Sequence, residues 1–69
     1  MTVEIKEYRV IVNCEDGDSY ELTFDCEGSA YSEAMSIVIH DSIDSIVCYV
    51  VFNTGAYYPV FVYANGKWF

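Results

Sequence analysis

Six of the eleven carboxylates in this chain crowd into one stretch, Glu15, Asp16, Asp18, Glu21, Asp25 and Glu27, and only three basic residues stand against them all. Acids at that density can hold a cation or pair with arginine and lysine of another molecule. A calcium loop of the EF-hand kind needs acids at its first, third and fifth positions, glycine at the sixth and glutamate at the twelfth. In Asp16-Gly17-Asp18 the glycine follows the first acid at once. Turn chemistry accounts for that segment, and no metal site is expected.

Other reactive residue types lead to the same place. His40, Asp41 and Ser42 are a nominal catalytic trio, but triads assemble from separated positions, and adjacent residues do not converge. A histidine closing a helix, where it complements the helix dipole, is the better account. Cys14, Cys26 and Cys48 are odd in number and lack a CxxC spacing, which argues against a disulfide framework and for a reducing, cytoplasmic setting. Neighbouring acids should raise their thiol pKa values and keep them inert. There is no glycine-rich phosphate loop. No catalytic residue and no cofactor are expected, and the chain does not read as an enzyme.

What remains is charge. A formal net charge of -8 sits on a chain that is 54% hydrophobic and 17% aromatic. Disordered acidic tails lack apolar residues because they bury no core. This chain therefore folds, and its fold carries a concentrated negative field. That field repels nucleic acid and acidic membranes and attracts basic surfaces. A solvated face that merely keeps an apolar chain soluble is the plain alternative. Mixed charges would serve solubility equally well, so the imbalance favours a binding role.

The elements that must carry these acids follow from periodicity. Tyr8, Val10, Val12 and Cys14 alternate with polar residues, as do Tyr20, Leu22, Phe24 and Cys26. Period two marks two half-buried strands, here joined through Glu15 to Ser19. A three-residue loop, Asp16 to Asp18, would pair Cys14 with Tyr20, Val12 with Leu22 and Val10 with Phe24. On the outer face Arg9 would oppose Asp25, Asn13 would oppose Glu21, and Glu7 would oppose Glu27. Glu21, Thr23, Asp25 and Glu27 would then share the outward face at a spacing of ~6.6 Å, so that the acids form a row comparable to successive phosphates of a nucleic-acid strand.

Ser29 is a candidate N-cap, and residues 30–39 read as a helix burying Tyr31, Ala34, Met35 and Val38. Residues 40–45 form the exit loop. Ile46 to Phe52 lacks polar alternation and predicts a central strand covered on both faces. Tyr57 to Ala64 is a further strand in which Pro59 favours an edge or a bulge. Asn65-Gly66 is the strongest hairpin signal, and Lys67-Trp68-Phe69 returns as a stub. The order is ββαβββ in one domain, residues 1–69. This predicts an α+β fold, an antiparallel sheet of four to five strands with one helix packed on one face.

A domain this small buries only ~60% of its unfolded surface, so partner contacts are expected to help. Eight of the twelve aromatics follow residue 48, and Tyr57, Tyr58, Tyr63 and Trp68 are the candidate interface set. Homodimerisation through that face is the simplest form. Base stacking on the same rings conflicts with the charge, so direct nucleic-acid binding is not expected. No apolar run approaches the ~20 residues of a membrane span, and residues 1–9 do not read as a signal peptide.

In its length, its ββαβββ order, its acidic hairpin from Glu15 to Glu27 and its lack of catalytic motifs, the chain resembles small acidic phage-encoded anti-defence proteins, anti-CRISPR proteins and DNA mimics among them. The resemblance implies a non-enzymatic inhibitor whose six acids occlude a basic, nucleic-acid-binding surface of a bacterial defence complex. A structural or assembly module that homo-oligomerises through its aromatic C-terminal sheet face is the alternative.

Overall fold

Alternating side chains become a sheet wherever the chain can turn back on itself, and it does so three times without a helix. The computed structural model describes residues 2–69. Strand β1 (Ile5–Cys14) and β2 (Ser19–Phe24) form the first hairpin, followed by helix α1 (Glu27–His40). Strands β3 (Ile43–Phe52), β4 (Tyr57–Ala64) and β5 (Lys67–Trp68) complete an antiparallel five-stranded sheet in the order β2-β1-β3-β4-β5. The fold is α+β, with the expected ββαβββ order.

The C-terminal half follows its local signals closely. Asn65 and Gly66 both adopt positive φ (54° and 77°), as a two-residue primed turn demands. Cys48 pairs with Phe61 while Tyr49 pairs with Pro59, so Val60 is the extra residue of a bulge beside the proline. Strand β3 is longer than its apolar core: it begins at Ile43, and only Asp41 and Ser42 are left to connect it to the helix.

The first hairpin differs from expectation by two residues. Val12 pairs with Tyr20, Val10 with Leu22 and Tyr8 with Phe24. Sliding a strand by two leaves every side chain on its own face, so hydrophobic pattern cannot choose between the registers. The turn chooses. The Cys14 N–H donates to the Asp18 carbonyl (2.8 Å), and the Asp18 N–H donates to Asp16 Oδ1 (3.0 Å). The Gly17 N–H also donates to the Cys14 carbonyl (3.1 Å), with Gly17 at φ 96°, so the three-residue loop is Glu15 to Gly17, centred one residue earlier than expected, and every pairing moves by two. Arg9 therefore opposes Thr23, Ile11 opposes Glu21 and Asn13 opposes Ser19. The expected pairs Arg9–Asp25, Asn13–Glu21 and Glu7–Glu27 do not form.

Strand β2 also ends earlier than its alternation, at Phe24. Cys26 is extended (φ -141°, ψ 156°) and caps a helix that starts at Glu27 rather than at Ala30. Ser29 falls inside the first turn, where Glu27 complements the helix dipole. The buried stripe is Ala30, Ala34 and Ile37, a quarter-turn from the expected one; Tyr31 and Met35 lie at its exposed margin and Val38 is half-buried. Small residues at 30 and 34 let the helix sit close on β1, β2 and β3, which suits a short helix over a twisted sheet.

These residues meet Val10, Val12, Ile43, Ile46, Cys48 and Phe61 in one core. The helix covers one face only. Val47, Tyr49 and Val51 of β3 remain half-buried on the other, so the expected double covering of this strand is not found.

Ile46 is fully buried, whereas Ile39 is 74% exposed. Ile46→Ala should cost about 2–5 kcal/mol, enough to unfold much of a domain this small, whereas Ile39→Ala should stay within about 0.5 kcal/mol. Urea denaturation followed by circular dichroism checks both.

Candidate acidic interface at the hairpin end

Because β1 lies between β2 and β3, the turn of the first hairpin and the exit of the helix arrive at the same end of the sheet. The Glu15 N–H donates to the Ser42 carbonyl across 3.1 Å and ties the two segments together. Glu15 and Asp16 from the hairpin and Asp41 and Ser42 from the helix exit line one cleft with Cys14 and Tyr20. Glu15, Asp16, Asp18 and Asp41 are all exposed. Their field is felt locally. Desolvation first, then Asp16, Asp18 and Asp41, push the Cys14 thiol up, and desolvation with Asp41 pushes up the Tyr20 hydroxyl.

Asp41 was not among the expected acids. Its signal lay in topology rather than spacing: once β1 and β3 are neighbours, the residue after the helix must stand beside the β1–β2 turn. His40 Nδ1 donates to the Ser36 carbonyl (2.9 Å) within the last helical turn, and the Ser42 carbonyl serves the hairpin. These two serve the helix end and the turn.

The remaining expected acids lie elsewhere. Glu21 is on the sheet face away from the helix, 3.5 Å from Arg9 Nε. Arg9 is bound more tightly by Glu7 Oε2 (2.7 Å), whose hydrogen bond and charge, followed by the charge of Glu21, raise the guanidinium pKa against desolvation. Asp25 and Glu27 have left the strand and stand at the helix N-terminus, the length of β2 away from the turn, ~17–20 Å by strand rise. The straight row Glu21, Asp25, Glu27 does not exist. Glu15, Asp16 and Asp18 stay together, and Asp41 joins them.

The aromatic set divides as well. Tyr63 and Trp68 are half-buried on the helix side, their ring centroids 4.9 Å apart, and Trp68 also meets Phe61 (5.8 Å) and Tyr31 (5.4 Å). Both pack against the margin of the core. Tyr57 and Tyr58 are exposed on opposite faces, Tyr57 against Tyr49 (5.4 Å) and Tyr58 against Phe52 (6.0 Å).

The cysteines separate by environment. Burial, with Glu27 adding to it, pushes Cys48 from 9.0 to about 11. Cys26 goes the other way, contrary to the expectation for an acidic neighbourhood. The Ser29 hydroxyl, 3.2 Å from Cys26 Sγ, is the main cause; the Ser29 and Gly28 N–H groups add to it and together outweigh desolvation and Asp25. Ser29 three residues after a cysteine at a strand–helix boundary was the available signal.

Among the described residues, no three histidine, cysteine, aspartate or glutamate side chains are grouped to hold a metal ion. No helix among them is long and apolar enough to cross a membrane. No family model matches the chain, and no curated protein or solved structure matches it.

Alkylation with iodoacetamide should modify Cys26 first, Cys14 more slowly, and Cys48 only on unfolding. Ser29→Ala should move the Cys26 rate profile to higher pH, read by peptide mass spectrometry. Because Cys48 titrates higher when folded than unfolded, it contributes stability that is fully present below pH 9.0 and lost as pH rises toward about 11. Cys48→Ala should flatten that part of the urea midpoint against pH.

Proposed function

We propose that this is a non-enzymatic acidic interaction protein that binds a basic protein surface, of the kind that holds a nucleic-acid backbone, and so competes with the nucleic acid. The observation that carries this reading is the meeting of Glu15, Asp16, Asp18 and Asp41 at one end of the sheet, on two segments joined by a backbone hydrogen bond. Arg9, which pairs with Glu7 and Glu21, is on a different surface.

Four carboxylates held on closed turns can receive arginine side chains in bidentate geometry without first ordering a loop. The charge would act at a compact patch and not along a strand-length row. A complex of bacterial defence, which the resemblance to anti-defence proteins implies, is one source of such a surface. Three unpaired cysteines fit a reducing cytoplasm.

The test starts from capture of partners on the immobilised protein from a bacterial lysate and elution with a salt gradient. The captured complex is then titrated with labelled nucleic acid, with and without this protein. Affinity should fall by about tenfold or more as salt rises from ~50 to ~200 mM, because exposed charges are screened beyond ~8 Å at physiological ionic strength. The variant E15Q/D16N/D18N/D41N should lose competition while unfolding no earlier than the wild type, since self-repulsion is relieved. Competition that is indifferent to salt, or retained by this variant, defeats the reading.

A further inference from the structure

The sheet face opposite the helix is built in cross-strand rows that the register makes explicit. Glu21, Ile11, Val47 and Val62 form one row; Thr23, Arg9, Tyr49 and Pro59 the next; Glu7, Val51 and Tyr57 a third. Their centre is apolar, with Ile11, Val47, Tyr49, Val51 and Val62 only half-buried and Tyr57 63% exposed. No element among the described residues covers them.

We propose that a second copy of the chain covers this face, sheet against sheet about a two-fold axis. Charge is the first argument. Lys6 and Arg9 line a cleft of about 550 Å³ here with Tyr49, Val51 and Tyr57, and Lys67 shares the face through its pairing with Ala64. All three basic residues of a -8 chain are thus on this surface, beside Glu7 and Glu21. It is where two such chains can meet without opposing like fields, and charges of both signs make it self-complementary under a two-fold.

Size is the second argument. Strands ~4.8 Å apart, rising ~3.3 Å per residue, give roughly 600 Å² of sheet per copy, so that two copies bury about 1,200 Å². That meets the lower bound of ~1,200–2,000 Å² for stable interfaces. An acidic partner is the poorer occupant, because Arg9 is already engaged by Glu7 and Glu21. The exposed stripe Tyr31, Met35 and Ile39 on the helix is the poorer surface for a second copy. It shares its helix with Glu27 and Glu33 and would bring like charges together.

Sedimentation equilibrium and light scattering of the full chain at micromolar to millimolar concentration test the proposal. A species of twice 7.9 kDa is expected, lost in Tyr57→Lys and Val62→Lys and kept in Ile39→Lys. Added salt should strengthen the dimer by screening two -8 chains from each other. This is opposite in sign to the salt response of binding through the hairpin end. The E15Q/D16N/D18N/D41N variant should dimerise at least as well as the wild type, so the two readings fail separately. If Val62→Lys does not fold, a dilution series of the wild type by amide NMR replaces it, and shifts should concentrate on Ile11, Val47, Tyr49, Val51 and Tyr57. A monomer at every concentration overturns the proposal. So does a dimer that Ile39→Lys dissolves, or one whose shifts lie on α1.

Discussion

One helix has to close five strands, and the width it can reach governs the rest of the molecule. Helix α1 contributes Ala30, Ala34 and Ile37 to the core, two of them with almost no side chain. The small residues bring its backbone near the sheet over β1, β2 and β3, and leave the β4–β5 side to other groups. There the aromatic rings take over: Tyr31, reaching from the helix, meets Phe61 edge-on at 5.2 Å and Trp68 at 5.4 Å. Bulky rings fill the gap between a short helix and a wide sheet, which is why Tyr63 and Trp68 are core-flanking residues. The same helix leaves the second face of the sheet without cover.

Charge is arranged around that geometry. The open face carries the basic residues, with Arg9 held between Glu7 and Glu21, so an ion network crosses β1 and β2 where apolar residues thin out. Exposed pairs of this kind contribute little stability, about 0–1 kcal/mol, and their value here lies in keeping one surface near neutrality. Among the described residues, the acids outside that network include Glu15, Asp16 and Asp18 in the first turn and Asp25, Glu27 and Asp41 at the two ends of the helix, with Glu4, Glu33 and Asp44 exposed elsewhere. Asp25 and Glu27 stand at the helix N-terminus, where the dipole favours them. Asp41 stands at the C-terminus, where the dipole opposes it. Asp41 nonetheless lines one cleft with Glu15 and Asp16 at that end of the sheet.

Most of the architecture was legible because it rests on local chemistry. Period-two alternation located β1 and β2, Asn65-Gly66 located the last hairpin, and β4 runs over the residues its pattern marks. The failures share a physical cause: each depended on a choice to which the hydrophobic pattern is blind. A two-residue register slide preserves both faces, so only the Asp16-closed turn could distinguish Val12–Tyr20 from Cys14–Tyr20 pairing. Alternation ran on through Cys26, but the ladder ends at Tyr8 and Phe24, and the chain turned into helix instead. Asp25 and Glu27 left the expected row for that reason alone. Asp41 was invisible for the converse reason, since only strand order brings it to the hairpin.

The two surfaces depend on each other through net charge. A small domain with one covered face has little stability to lose, and eight uncompensated negative charges draw on it. Spreading those charges over the open face would have kept copies apart but forfeited its apolar rows as a contact surface. Keeping most of them off that face, at the hairpin end and along the helix, leaves the rows available. It also places Glu15, Asp16, Asp18 and Asp41 at one end of a particle measuring 42 × 21 × 18 Å. A face-to-face pair would keep each hairpin end at its own margin, clear of the buried sheets. Association would then recover the burial that a single helix cannot supply, while the acids stay free for a basic surface.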